Sequence, residues 1–341
     1  MAHAKLSNMN NNSGEGGDLM KNQKDKPHTL AGNKFAKYKK TLVLLTMVAP
    51  TAIWLFLLRY LPMGGIILAF KDYKMNPRNP SFISNLISSK WVGFDNFKFL
   101  FKTDAALVMI RNTLAYNIVF IILGIIIPVA FAIMMNEFTK KFVKKAYQTM
   151  MFFPYFLSWV VVSYFLNAFL DAQYGMLPAM QAAAGEAVTS WYTTPKYWPY
   201  IIVFANLWKN VGYSTVLYLA AITGIDASQY EAAAIDGASK WKQMIYVTIP
   251  HLRTMIAILF IMNVGKIFAS DFGLFYNVPM QNGALFSVTQ TIDTYVYRAY
   301  MATGDPGMSS AAGLLQNILG FICIMTANGI VKKIDSDSSM F

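Results

Sequence analysis

Two sets of residues in this chain have types and spacing that could do chemistry. The first is Glu231-Ala232-Ala233, followed by Asp236-Gly237-Ala238 and then Ile249-Pro250. It is the one compact polar pattern between long apolar runs, and its run of alanines offers a small face that another protein's surface can approach closely. The second is a group of polar and ionisable residues inside apolar runs. Asn206, Trp208, Lys209, Asn210 and Tyr213 lie in one run, and Asn263 and Lys266 in the next. Such groups are costly in lipid and usually face a cavity. The competing reading is helix-to-helix hydrogen bonding for the asparagines and snorkelling for the lysines.

Catalytic chemistry finds little support. His3, His28 and His251 are far apart, so no histidine cluster offers a metal site. Cys323 is the only cysteine, which excludes an internal disulfide. No Ser/His/Asp set is plausibly placed, and no G-x-x-x-x-G-K-[ST] phosphate loop occurs. Gly265-Lys266 is an isolated pair inside a run. The expectation is a non-enzyme with no catalytic residue, no metal and no cofactor of its own.

The elements that position these residues are membrane helices. Of 341 residues, 55% are hydrophobic and 13% charged, whereas soluble domains carry about 25% charged residues. Six apolar runs, at about 41–58, 112–136, 146–170, 197–225, 254–270 and 309–331, each approach the ~17–25 residues a helix needs to span the bilayer. Pro128 and Pro154 should kink the second and third. Residues 1–40, polar and lysine-rich, read as a disordered cytoplasmic tail. Residues 334–341 read as a short cytoplasmic tail.

Loop charge sets orientation. Lys140, Lys141, Lys144 and Lys145, then Lys240, Lys242 and Arg253, then Lys332 and Lys333 mark alternate loops and the C-terminus as cytoplasmic, with the N-terminus on the same side. Loop 71–111 conflicts, with seven basic residues on the expected outside. The +12 net charge is this topogenic bias. Nucleic acid is excluded as a partner because the basic residues flank apolar runs and do not interleave with stacking aromatics. The stretch from Trp91 to Leu100 predicts a short interfacial helix. Tyr174, Trp191, Tyr192, Phe272, Phe275, Tyr276, Tyr295, Tyr297 and Tyr300 enrich the outer segments, as headgroup anchors or as a docking face for an extracytoplasmic partner.

Within 226–253, Ser228 with Glu231 forms a capping-box pattern, so a helix is predicted to start at Ser228. Gly237 suits a left-handed helix end. Ser239 caps a second helix running to Ile249 and breaking near Pro250.

Glu231-Ala232-Ala233, then Gly237, then Val247-Thr248-Ile249-Pro250 resembles the EAA signature of permease subunits of bacterial ABC importers, with Ile249 where leucine is usual. Phe70-Lys71-Asp72-Tyr73, Trp91-Val92-Gly93-Phe94, Asp293-Thr294-Tyr295-Val296-Tyr297-Arg298 and Ala311-Ala312-Gly313-Leu314 resemble maltose-type carbohydrate permeases, in particular the LplB-like sugar and polysaccharide subgroup. The resemblance spans about 41–333. It implies an all-α polytopic fold of six transmembrane helices with a cytoplasmic coupling helix, the type I ABC importer permease fold, in a bacterial cell membrane. It also implies a second permease subunit, two ATPase subunits that hold ATP and Mg2+, and an extracytoplasmic solute-binding protein. The cargo would be an oligosaccharide or polysaccharide fragment. Glu231, Ala232, Ala233, Asp236, Gly237, Ala238 and Pro250 would couple to the ATPase, with Glu231 orienting the helix and reaching it. Asn206, Trp208, Lys209, Asn210, Tyr213, Asn263 and Lys266 would line the path, Trp208 and Tyr213 stacking on sugar rings and a lysine pairing with an acidic sugar.

Two other classes compete. An ion-coupled secondary carrier would want a carboxylate relay in the spans, and none is present. A non-transporting membrane scaffold would have no use for polar groups there.

Overall fold

The computed structural model describes residues 30–74, 81–102 and 104–335. The expected disordered tail lies outside them up to residue 29, as do the last six residues. Where the tail is described it is helical: α1 begins at Leu30 and runs to Leu55. The chain divides into two units, residues 1–63 and 64–341. The first is this helix with a π-helical turn, Phe56–Tyr60.

Among its described residues the second unit is helical, with one two-stranded antiparallel ribbon, β1 (Lys71–Asp72) and β2 (Lys90–Trp91). Its main helices are α2 (Asp104–Asn136), α3 (Lys141–Phe152), α4 (Trp159–Leu170), α5 (Trp198–Thr223), α6 (Ala227–Ile235), α7 (Ile249–Val264), α8 (Phe272–Asn277), α9 (Ile292–Thr303) and α10 (Pro306–Ile334). Among the described residues, Thr41–Phe70, Ala105–Asn136, Lys240–Val264 and Pro306–Ile334 are long and apolar enough to cross a membrane. The 26-residue α5 is long enough. Its polar side chains, Asn206, Lys209 and Asn210, lower its apolarity.

Buried clusters give the helices their directions. Tyr116, early in α2, packs with Trp198, Ile202 and Ala205, early in α5. Ala132 and Met135, late in α2, pack with Tyr218, Leu219 and Ile222, late in α5. The two helices are therefore parallel neighbours, and the chain between them must cross back. Residues 141–170 do so as a broken path: α3, a 3-10 turn at Phe153–Phe156, then α4, bent by 100°. The kink expected at Pro154 is a full break in the third run. Two helices of 12 residues each, about 18 Å long at ~1.5 Å per residue, replace one. Pro154 enforces the break, because it has no N–H and its ring clashes with the preceding turn.

The fifth run also differs. Its helix ends at Val264, with Gly265 capping it, so Lys266 lies beyond the span. In the other direction Pro250 does not end a helix. Lys240–Gln243, a π-helical turn at Met244–Thr248 and α7 run on as one 25-residue helix. The wide turn gives room for the proline ring just where an α-helical carbonyl would meet it.

Two ion pairs gather the ends. Lys240 Nζ lies 3.4 Å from Glu137 Oε2, and Arg253 Nε lies 2.8 Å from Asp335 Oδ2. The 137–145 loop, the 226–253 loop and the end of α10 therefore share one face, as loop charge predicts. Three of the seven basic residues that conflicted in 71–111 have local work: Lys71 Nζ donates to Leu86 O at 2.6 Å, Lys98 pairs with Asp95, and Arg111 Nη2 donates to Ser287 O at 2.7 Å. The expected interfacial helix is instead a 3-10 turn, Asp95–Phe97, and one helical turn, Phe99–Lys102, with Phe99 and Leu100 buried.

Candidate coupling loop and translocation face

α6 is built from alanines of high helix propensity and is fastened at both ends. Its cap is Asp226, whose Oδ1 accepts from the Ser228 N–H at 3.0 Å, which moves the predicted start back from Ser228. A carboxylate does this better than a hydroxyl, because its charge complements the helix N-terminus. The backbone N–H of Ser228 holds the Asp226 carboxyl below the usual carboxylate range.

At the other end the Ala238 N–H donates to Ala233 O at 2.9 Å and the Gly237 N–H to Ala234 O at 3.0 Å. This Schellman closure puts Gly237 in the left-handed region at φ +76°. The Ser239 Oγ then accepts from the Lys242 N–H, as predicted, and starts the helix that leads into α7. Gln243 Nε2 donates to Ala238 O at 3.2 Å, and the Tyr230 hydroxyl meets Thr248 Oγ1 at 3.0 Å.

α6 is thereby tied by two side-chain hydrogen bonds to a membrane-length helix. Glu231, Ala232, Asp236 and Gly237 are exposed, Ala233 and Ala238 partly so. Ile235 is 87% exposed and Trp241 67%, large apolar groups on the same loop.

On α5, Asn206, Lys209, Asn210 and Tyr213 fall at i, i+3, i+4 and i+7, one face of a helix with ~3.6 residues per turn. Trp208 points to the opposite side. It lines an apolar groove of about 800 Å³ with Phe153, Phe165, Phe169, Tyr200 and Phe204. Asn210 Nδ2 donates to Asn206 O at 3.0 Å.

Lys209 is 8% exposed, and its Nζ donates to Tyr155 O at 2.7 Å. It also sits 5.3 Å from the Tyr155 ring centroid and 5.4 Å from that of Trp159. Tyr155 in turn stacks on Tyr213, with centroids 4.6 Å apart. Asn263 and Lys266 are exposed at the end of α7. No side-chain hydrogen bond or ion pair joins them to α5 among the described residues.

Sequence reading missed what holds this face. A Cβ on Gly212 would collide with Met151 O, so the glycine lets α5 cross the broken path at backbone contact. Trp159 Nε1 donates to Asp271 Oδ2 at 2.8 Å, and Asp271 caps α8. A glycine inside a helix and an acid just before one were the available signals, but neither names its partner.

The model of the family described as binding-protein-dependent transport system inner membrane component matches residues 121–334. Protein LplB of Bacillus subtilis (strain 168) is 32% identical over 92% of this chain and 97% of its own length. A polygalacturonan/rhamnogalacturonan transport system permease protein, YteP, of the same organism is 30% identical over 85% and 88%. A solved bacterial alginate ABC transporter, in complex with alginate pentasaccharide-bound periplasmic protein, superposes with a TM-score of 0.77. It is 28% identical over 88% of this chain and 97% of that one. A TM-score of 0.77 over 97% of that chain means that the two share one helical fold. The chain belongs to the binding-protein-dependent transport system inner membrane components, the permease subunits of ABC importers.

Proposed function

We propose that this chain is one of two permease subunits of an ATP-driven carbohydrate importer and forms half of the path for an oligosaccharide or polysaccharide fragment. The observation that carries the proposal is the α6 lever. It is a short helix with exposed Glu231 and Ala232, closed by left-handed Gly237 and bonded through Tyr230 to Thr248 at the foot of the next membrane-length helix. A groove on a separate ATPase subunit would hold α6. Two such subunits would bind ATP and Mg2+, since this chain has no phosphate loop of its own.

Their closure would favour one of two arrangements of the paired permeases, with differential binding supplying the free energy. Asn206, Asn210 and Tyr213 would line the path, with Asn263 and Lys266 where α7 ends. Lys209 would stiffen that face from behind. An extracytoplasmic binding protein would deliver cargo to the far end, and the loop end, with both termini, would face the cytoplasm. The names of the relatives support a saccharide cargo, two of them naming acidic polysaccharides.

The test is uptake of a panel of neutral and acidic oligosaccharides in a strain lacking this chain, together with co-purification of an ATPase with it. Loss of uptake of a saccharide and a co-purifying ATPase are expected. Transport by the chain alone, independent of ATP, overturns the proposal.

A further inference from the structure

At the far end of the second unit, Phe272, Asp293, Tyr297, Tyr300, Ser309 and Gln316 line a cavity of about 340 Å³ that none of the path residues above reaches. The rings of its aromatic wall pack on one another. Phe272 stacks on Tyr276 at 4.8 Å between centroids and meets Tyr297 edge-on at 4.9 Å, and Tyr276 meets Tyr297 edge-on at 5.2 Å.

Its acid is held in place. Asp293 Oδ2 accepts from the Ser270 N–H and from Ser270 Oγ, both at 2.7 Å. Gln316 Nε2 donates to Phe268 O at 2.7 Å and stands 3.4 Å from both Asp293 oxygens. Oδ2 is therefore engaged by two short bonds, whereas Oδ1 has only the long contact and keeps acceptor capacity toward the cavity.

The floor is Gly313, inside α10. A Cβ there would meet nothing within 4 Å. A helix-interior glycine costs roughly 1 kcal/mol against alanine, and here no neighbouring atom requires it. Gly313 lines the cavity, and a Cβ there would stand in open space.

We propose that this cavity is a saccharide subsite at the far end of the path, taking a neutral pyranose unit. One ring face would lie on Tyr297, with Phe272 at its edge, and a hydroxyl would donate to Asp293 Oδ1. The same carboxylate disfavours a uronate at this position. The inference rests on the carbohydrate reading above.

The test uses the complete transporter, with this chain and its partners, in proteoliposomes. The probes are maltotriose, cellotriose, xylotriose and trigalacturonate. Gly313→Leu fills the cavity, and Asp293→Asn removes the charge while keeping the shape. Gly313→Ala controls for folding, and co-purification of the ATPase checks assembly of every variant.

The subsite predicts that a neutral trisaccharide is taken up and that its KM rises about ten-fold in Asp293→Asn, where a hydrogen bond to a charged group becomes one to a neutral group, and at least as much in Gly313→Leu, where the side chain occupies the cavity. Neutral uptake with KM unchanged in both variants overturns the subsite and leaves the carbohydrate reading standing. Selective uptake of trigalacturonate, unaffected by Gly313→Leu, also overturns the subsite. No uptake of any probe and no stimulation of ATP turnover overturns the carbohydrate reading and the subsite with it.

Discussion

Lys209 Nζ and Tyr155 O are 2.7 Å apart, a bond from the middle of α5 to the turn where the path between α3 and α4 breaks. The break leaves the Tyr155 carbonyl outside both helical ladders, and in a membrane interior no water is at hand to satisfy it. The ammonium supplies the donor, and the faces of Tyr155 and Trp159 shelter its charge.

Lys209→Met therefore leaves a buried carbonyl unpaired. The expected loss is about 1–3 kcal/mol, read as a lower Tm of the detergent-solubilised complex by fluorescence-detected size exclusion. An unchanged Tm would mean that the bond stabilises nothing.

Gly212 and Gly124 form a matched pair. Alanine at 212 would collide with backbone at Met151 and Phe152, whereas at 124 it meets nothing within 4 Å. Gly212→Ala is expected to abolish accumulation of folded protein. Gly124→Ala should be neutral or stabilising by up to ~1 kcal/mol. Expression and Tm of the two variants, measured side by side, check both statements.

Gly237→Val forces a β-branched residue into the left-handed region at a cost of about 1–2 kcal/mol. The Schellman closure opens and α6 loses its fixed angle to the following helix. Saccharide uptake should fall while ATP turnover by the complex persists, and uptake at the wild-type rate would contradict the lever.

Asp226→Ala removes the true cap of α6, while Ser228→Ala leaves it in place. Faster amide exchange across residues 228–232 is expected for the first variant only. The Asp226 carboxyl is lowered in the folded state. Its contribution is thus complete above the ordinary aspartate range, near ~4, and is lost as pH falls through the lower folded value. Exchange of these amides in the wild type should be flat with acidity above that range, after correction for intrinsic rates, and should rise as pH falls below it.

Much of this protein was legible in one dimension because the signals are local. Apolar runs of membrane length, lysines beside alternate loops, alanines ahead of Gly237 and Ser239 ahead of a helix each act within a few residues. Together they led to the coupling loop and its family. Short-range signals also misled. Ser228 with Glu231 fits a capping box, but Asp226, two residues earlier, is the stronger acceptor. Pro250 reads as a stop, but a π-helical turn absorbs it.

What the tertiary structure alone decided is which distant groups meet. Tyr155 and Lys209 are 54 residues apart in the chain, Trp159 and Asp271 112 apart, and Ser270 and Asp293 23 apart. No periodicity encodes these pairings, because each depends on a backbone break or a helix end whose unsatisfied groups take whichever partner the packing of α2 on α5 brings within reach.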